Sequence, residues 1–258
     1  MKSFDEIKLQ KSFPELLLER EISSVIRTPE RASNPALSPS GLGCPRGAAF
    51  KLSGAMMAAS EETYESGLAA AMGTFIHERI QKFLSKSKIW VDVEEYIKLR
   101  PELGLSIAKE QKHAGEVSLV FSGIRNGKKV TPPFTFQCDG IVFIDGEYYI
   151  VEIKSEGQRA WDNRTEPNPK HAMQATSYGF LYGIDKVLWI YASRESFGVM
   201  RKIYLQNIDR SKIEEFLISC AKVSSAVEFG EIKFLPKSKD CRWCAYLPLC
   251  KELDDSGI

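Results

Sequence analysis

The sequence predicts an α/β protein in which helices flank a central mixed β-sheet. Three observations support this expectation. Apolar residues recur at helical spacing near both ends of the chain, they change to strand spacing through residues 116–154, and two further strand patterns follow a helix at about 170–183. A helix between two groups of strands favours a sheet that contains both parallel and antiparallel neighbours.

The N-terminal part is predicted to be mainly helical. An amphipathic helix is expected over residues 5–27, interrupted near Pro14, and a loop rich in proline, serine and glycine follows it. Residues 45–60 and 67–85 are also predicted to be helices, the second because its large apolar residues recur every three or four positions.

From residue 116 onward the pattern changes to strands. The predicted strands are Val117–Phe121, Phe134–Ile144, Glu147–Lys154, Val187–Ala192 and Val199–Leu205. The helix at about 170–183 joins the two groups of strands, and a helix over 209–229 precedes a cysteine-rich C-terminus. We expect one domain over residues 1–258, with an N-terminal helical part (1–60), a core (61–206) and a C-terminal part (207–258).

Composition is neutral with respect to function. The chain is 43% hydrophobic and 27% charged, as folded proteins usually are. A net charge of +1 gives no global attraction to nucleic acid, and its lysines and arginines form only local clusters. The charged N-terminus does not resemble a secretory signal, and no apolar run is long enough to span a membrane. A cytoplasmic protein without a membrane partner is expected.

A β-hairpin is predicted around Asp145-Gly146, because this dipeptide separates two β-rich runs. If the turn sets the register, Ile144 pairs with Glu147. Continuing the same pairing places Asp139 directly opposite Glu152.

Two carboxylates and a lysine are therefore expected on one face of this hairpin. Lys154 shares the face of Glu152 because side chains alternate along a strand. Opposed carboxylates such as Asp139 and Glu152 repel each other, and a divalent cation that prefers oxygen ligands would compensate for the repulsion. Lys154 beside them could orient or deprotonate a water molecule. The alternative is an ordinary solvated glutamate–lysine pair.

These residues resemble the signature of the PD-(D/E)xK nucleases. Asp139 is followed after twelve residues by Glu152-Ile153-Lys154, although Cys138 stands where the name-giving motif has proline. The resemblance implies a restriction-endonuclease-like core and metal-dependent hydrolysis. It also implies that Asp139, Glu152 and the carbonyl of Ile153 bind Mg²⁺ or Mn²⁺, with Lys154 as the catalytic lysine.

Two further motifs are similar to those of the RecB-like nucleases within this superfamily. They are Gly73-x-x-x-His77 and Gln174-x-x-x-Tyr178. The resemblance implies that His77 is an additional metal ligand and that Gln174 and Tyr178 help to place the substrate or the lysine. Simple packing is the alternative for each motif taken alone. His171 precedes the glutamine on the same turn and is not expected to be a metal ligand.

Four of the six cysteines form a candidate metal site. Cys241, Cys244 and Cys250 lie close together in sequence, and Cys44 is the candidate fourth ligand. A reducing compartment favours metal binding over disulfides, and the spacing fits zinc as well as an iron–sulfur cluster. The two remaining cysteines are expected to be small buried residues: Cys138 and Cys220.

The arrangement of one distant cysteine and a C-terminal trio resembles that of AddB-type nucleases and CRISPR-associated RecB-like exonucleases. This resemblance implies a [4Fe–4S] cluster that joins the N- and C-terminal segments. Structural Zn²⁺ bound by the same four thiolates is the alternative.

The expected function is a metal-dependent DNA exonuclease that acts on single-stranded ends in recombination, repair or replication. DNA is the expected partner, with a helicase or recombination protein as a further candidate, since the chain has no Walker A motif of its own. Candidate base-stacking residues are Tyr178, Trp161 and Trp243, the second in a polar loop that could cover the site. Two alternatives are a structure-specific or CRISPR-adaptation nuclease and a non-catalytic DNA-binding scaffold with a cysteine-bound metal.

Overall fold

The structure is a computed structural model that describes residues 13–109, 118–125, 128–238, 241 and 244–255. Its helices are α1 (Phe13–Ile22), α2 (Pro45–Leu52), α3 (Tyr64–Leu84), α4 (Val93–Lys98), α5 (Gln158–Asp162), α6 (Ala172–Tyr182), α7 (Ser211–Glu228) and α8 (Leu247–Asp255). Its strands are β1 (Ile26–Thr28), β2 (Arg31–Ala32), β3 (Met56–Met57), β4 (Ser60–Glu62), β5 (Trp90–Val91), β6 (Leu105–Lys109), β7 (Ser118–Arg125), β8 (Lys128–Phe136), β9 (Gly140–Ile144), β10 (Glu147–Glu156), β11 (Lys186–Ser193) and β12 (Arg201–Asn207). None of the described helices combines the length and apolar character needed to cross a membrane.

The central sheet has five strands in the order β12-β11-β10-β9-β5. Strands β10 and β11 run parallel, and the other neighbours are antiparallel. The parallel pair follows from the connection between them, because a strand that returns through helices can lie parallel to its predecessor. The predicted α/β class with a mixed sheet is confirmed.

Helices cover both faces of the sheet. On one face, α6 and α7 pack against inward-pointing residues of β9, β10 and β11, including Ile141, Ile150 and Trp189, all of which are fully buried. On the other face, Ile80 of α3 packs against a smaller cluster that includes Val151. Residues 150, 152 and 154 therefore point to the α6 side, and residues 151 and 153 point to the α3 side.

The predicted hairpin register is confirmed through most of its length. Asp145 and Gly146 both have positive φ angles (50° and 84°), as a two-residue type I′ turn requires. Ile144 pairs with Glu147 as expected, and the ladder continues to Gly140 opposite Val151.

The N-terminal helices are shorter than predicted. Helix α1 ends at Ile22, and residues expected to continue it form β1; the start of the predicted helix lies outside the described residues. Helix α2 ends at Leu52, because Gly54 adopts the left-handed conformation (φ 72°) that commonly terminates helices. Strands β3 and β4 occupy the remainder of the expected 45–60 helix.

The predicted strand Phe134–Ile144 is wrong as a single element. It divides into the end of β8 and the start of β9, with a break at residues 137–139. Strand β8 belongs to a separate three-stranded sheet, β6-β7-β8, rather than to the central sheet. The break places Asp139 in a bend immediately before β9, where its backbone is not paired with a neighbouring strand.

Candidate active site

The bend at Asp139 begins the candidate site. Its carboxylate Oδ2 accepts a hydrogen bond from the backbone N–H of Ile153, so a side chain replaces the backbone acceptor that a longer ladder would supply. Its backbone carbonyl accepts from Gln81 Nε2 at 2.8 Å. The expectation that Asp139 is a paired residue opposite Glu152 is therefore wrong in detail, because the ladder ends one residue earlier.

The ladder ends where Trp90 of β5 packs over Gly140. A Cβ atom at this position would lie 2.2 Å from the indole ring, so only glycine allows the close approach. The pairing of β9 with β10 ends at this glycine, and Asp139 directly precedes it.

Glu152 is the most buried charged group of the site, with 4% of its surface exposed. Its Oε1 accepts from Lys154 Nζ at 2.6 Å and from Gln174 Nε2 at 2.7 Å. Its Oε2 is buried and has no hydrogen-bond partner within the described part of the chain. Burial, followed by the negative charge of Asp139, raises the pKa of Glu152 to about 7. Without a bound cation this carboxylate is only partly ionised near neutral pH.

Helix α3 reaches the same point from the opposite face of the sheet. His77 Nδ1 lies 3.4 Å from Asp139 Oδ1. Burial lowers the pKa of His77, but the hydrogen bond and charge of Asp139 outweigh it and leave the pKa raised. One turn earlier, a Cβ on Gly73 would lie 3.1 Å from Ser155 Oγ, so the glycine lets the helix approach β10 closely. This approach gives the Gly73-x-x-x-His77 spacing a physical basis.

Helix α6 supports the site through Gln174 and Tyr178. Gln174 Nε2, besides its bond to Glu152, lies 3.2 Å from the Tyr178 hydroxyl. That hydroxyl donates to the carbonyl of Gln137 at 2.6 Å, just before the bend at Asp139. Tyr178 is 3% exposed, which favours the packing alternative over a role in stacking on a base. The pair instead connects both carboxylate-bearing segments to one helix.

The loop after Lys154 is anchored to the sheet. Trp161 Nε1 donates to the carbonyl of Tyr191 at 3.0 Å, and Lys202 Nζ lies 4.5 Å from the centre of the Trp161 ring. Lys202 Nζ also donates to the carbonyls of Trp161, Asp162 and Arg164 at 2.7–3.0 Å. Trp161 is thus held against β11 and β12, and Trp243, the other candidate stacking residue, lies outside the described residues.

Sequence reasoning missed Gln81 and the surroundings of His171. Gln81 follows His77 by four residues on α3, so helical spacing alone would have placed both on one face. His171 Nδ1 lies 3.1 Å from the Tyr191 hydroxyl, beside Lys154 in the sheet register. Burial, followed by the nearby positive charges of Lys154 and Arg164, lowers the pKa of His171 to about 4. His171 is therefore neutral at physiological pH.

The four candidate metal-binding cysteines lie in one region. Cys44 caps the N-terminus of α2, and its Sγ accepts from the backbone N–H of Gly47 at 3.4 Å. Cys244 is close enough to Cys44, Cys241 and Cys250 for their charges to affect its pKa, which burial raises. All six cysteines are free thiols. The expectation that the other two are buried is confirmed, since each is 1% exposed: Cys138 and Cys220.

Among the described residues, no three histidine, cysteine or acidic side chains are already arranged as a complete metal site. The chemistry of the donors nevertheless fits a divalent cation beside the hairpin. Within the part of the chain that the structure describes, Glu152 Oε2 is a buried acceptor without a partner, and Asp139 and His77 are close enough for their charges to affect Glu152. The four cysteines carry the type of donor that thiolate-bound metal groups use.

The buried carboxylate predicts a pH-dependent stability. A pKa raised from 4.5 to about 7 means that the folded, metal-free protein binds more protons than the unfolded chain between these values. The stabilisation that protonated Glu152 contributes is therefore present at low pH, and it is lost as the pH rises through the pKa of Glu152 in the folded protein. The measured quantity is the free energy of unfolding of the wild type minus that of Glu152→Gln, both in EDTA. This difference should be about 2–3 kcal/mol smaller at pH 8 than at pH 5.

Urea unfolding at several pH values measures this difference. Glu147→Gln is the matched control, because Glu147 lies on the same strand but is exposed and its pKa is lowered by Lys186. Its difference from wild type should be flat over the same range. A flat difference for Glu152→Gln as well would show that Glu152 is ionised throughout.

No protein-family model matches the sequence, and no curated protein is significantly similar to it. Among solved structures, the protein designated SSO0001 is 16% identical, with a TM-score of 0.44 over 93% of this chain and 97% of that chain. An alkaline exonuclease from Laribacter hongkongensis is 13% identical, with a TM-score of 0.38 over 78% of this chain and 91% of that chain. The same exonuclease in complex with dAMP is 14% identical, with a TM-score of 0.36 over 76% and 93%. These likenesses are weak.

Proposed function

We propose that this chain is a divalent-metal-dependent nuclease that hydrolyses phosphodiester bonds in DNA. One observation carries the proposal: Glu152, beside Asp139, has one carboxylate oxygen bound by Lys154 and the other buried with no partner among the described residues. A buried, unsatisfied carboxylate oxygen is costly unless a cation or donor occupies the adjacent space. By the sequence resemblance, the carbonyl of Ile153 and the ring of His77 would be further ligands of Mg²⁺ or Mn²⁺.

A bound metal ion would polarise the phosphate and lower the pKa of an attacking water molecule. Lys154 would contribute as a cation. Burial lowers its pKa, but the adjacent Glu152 carboxylate raises it further, and the net shift is upward. As an ammonium group, Lys154 would stabilise the negative charge that builds on the phosphate.

The neighbours of these groups hold them in place. Gln174 binds the Oε1 atom of Glu152, which leaves Oε2 available for a cation. The N–H of Ile153 holds Asp139, and Gln81 holds the backbone of the bend. Such supports reduce the reorganisation needed when the substrate binds.

The four cysteines are proposed to hold a structural metal group that joins α2 to the C-terminal segment. Their proximity and the two N–H···S hydrogen bonds to Cys44, from Gly47 and Ser238, support thiolate ligation. The sequence resemblance favours a [4Fe–4S] cluster, and Zn²⁺ is the alternative. Iron, acid-labile sulfide and zinc contents of protein purified without oxygen separate the two.

The proposed activity is exonucleolytic, with single-stranded ends preferred, as the sequence resemblance implies. The test uses linear single- and double-stranded DNA labelled at the 5′ or 3′ end, together with closed circular DNA, in Mg²⁺, Mn²⁺ or EDTA. We expect loss of label from linear DNA only with metal, and intact circles. A helicase or recombination partner stays a prediction and requires pull-down from the native host.

The remaining outcomes would either contradict the proposed site or favour one of the two alternative functions. Cleavage that persists in EDTA would contradict the metal-dependent site. Metal-dependent cutting of circles would favour the endonuclease alternative, and DNA binding without cleavage under any metal would favour the scaffold alternative.

A further inference from the structure

Arg46 is a buried arginine that connects the start of α2 to the C-terminal segment. Its Nε donates to the carbonyl of Leu235 at 3.2 Å, and its Nη2 donates to the carbonyl of Lys233. Its Nη1 lies 2.6 Å from Asp254 Oδ1 and 3.6 Å from Cys250 Sγ. Only 7% of the side chain is exposed. The guanidinium group is thus fixed with one N–H group beside a thiol.

The charges around Arg46 leave a positive excess. Its carboxylate partner, Asp254, is 37% exposed and also binds Lys237 Nζ at 2.6 Å. Within this described group, two cations share one carboxylate. A buried arginine is costly unless it is compensated, and here two backbone carbonyls and the shared carboxylate of Asp254 do so.

The neighbouring cysteines would add negative charge beside these two cations if they bound a metal as thiolates. Four thiolates around Zn²⁺ or a [4Fe–4S] core carry a net negative charge. Backbone N–H groups of Gly47 and Ser238 already point at Cys44 Sγ, each at 3.4 Å. Arg46 provides the corresponding donor for Cys250 on the other side of the region. Hydrogen bonds to sulfur and nearby charge are the means by which proteins adjust such centres.

We propose that Arg46 is a positioning residue for the Cys250 thiolate, which it holds by a charged N–H···S hydrogen bond while it compensates the negative charge of the bound metal group. This inference rests on the proposed four-cysteine site. It is independent of the proposed cleavage reaction, because its readouts are metal retention and spectroscopy.

The test compares Arg46→Met, Arg46→Lys and the control Lys237→Met in the full chain, purified without oxygen. Lys237→Met removes the other cation that binds Asp254 but no donor to a thiol. The measurements are iron and zinc per chain, the rate of metal transfer to a colorimetric chelator, and the thiolate-to-metal absorption band, with Co²⁺ substituted if the metal is zinc. Arg46→Met should lose metal about 10- to 100-fold faster than wild type, the usual cost of removing a supporting group.

The other two variants separate the effect of the positive charge at residue 46 from the effect of the packing of its side chain. Arg46→Lys should restore much of the retention, and Lys237→Met should stay within about threefold of wild type. If the metal is an iron–sulfur cluster, its midpoint potential should fall in Arg46→Met, because loss of a positive charge disfavours the added electron. The potential in Arg46→Lys should stay near that of wild type. If Arg46→Met does not fold, the comparison of Arg46→Lys with Lys237→Met decides: Arg46→Lys, which loses the guanidinium donor to Cys250, should release metal faster than Lys237→Met, and equal release rates would reject the role of Arg46.

Two results would overturn the inference in different ways. Equal metal-release rates and spectra in Arg46→Met and wild type would reject the role of Arg46 and leave the cysteine site standing. A wild-type protein that binds neither iron nor zinc would reject the cysteine site itself, and the role of Arg46 with it.

Discussion

Replacing Lys154 with methionine is expected to reduce metal-dependent DNA cleavage by about 100- to 1,000-fold, the usual cost of removing one group that stabilises the transition state. Methionine keeps most of the length of the side chain but removes the ammonium group that contacts Glu152 at 2.6 Å. The fold should survive, because Lys154 is part-buried at the edge of the core and 23% of its side chain is exposed. Initial rates on end-labelled DNA, with circular dichroism on the same samples, measure both effects.

The matched control for this variant is Lys186→Met. Lys186 also pairs with a glutamate of β10, Glu147, but at the turn end of the hairpin and far along the strand from Glu152. It should retain full activity. Activity of Lys154→Met above about one tenth of wild type would remove Lys154 from the proposed chemistry.

Replacing Asp139 with asparagine is expected to abolish cleavage and to weaken Mn²⁺ binding by more than about 100-fold, beyond the usual cost of losing a group that only supports a ligand. Asparagine retains an oxygen that can accept from the N–H of Ile153, so the bend should persist. The charge that compensates a cation is lost. The increase in melting temperature on adding Mn²⁺, measured against EDTA, should disappear together with activity.

Asp145→Asn is the corresponding control. Asp145 lies in the hairpin turn with φ 50°, and asparagine adopts this conformation readily. Stability, Mn²⁺ response and cleavage should all match wild type. If Asp139→Asn kept a normal Mn²⁺ response, the metal would have to bind elsewhere.

Much of the hairpin could be predicted from sequence because its determinants are local. The Asp145-Gly146 turn fixes the register, and alternation places Glu152 and Lys154 on one face. These are interactions between residues that are near each other in the chain. The 3.6-residue period located α3 and α6 but not their buried faces: Phe75 and Phe83 of α3 are exposed, and α6 is buried from Gln174 to Tyr182.

The break before β9 could not be predicted in the same way. Residues 134–144 alternate as one strand would, and nothing local shows that β8 leaves for another sheet. The ending of the ladder depends on Trp90, which reaches Gly140 from a distant part of the chain. The burial of Tyr178 and the role of Gln81 depend on tertiary contacts of the same long-range kind.

The antiparallel ladder between Gly140 and Val151 has a consequence for how this hairpin can change in evolution. Residues added in equal number to β9 and β10 would lengthen the hairpin beyond the site without moving Asp139 relative to Glu152. A single-residue insertion in β10 between the turn and Glu152, without a bulge to absorb it, would turn Glu152 and Lys154 towards α3. Related chains that keep this site and this turn should therefore differ from this one by an even number of residues between the positions of Asp139 and Glu152.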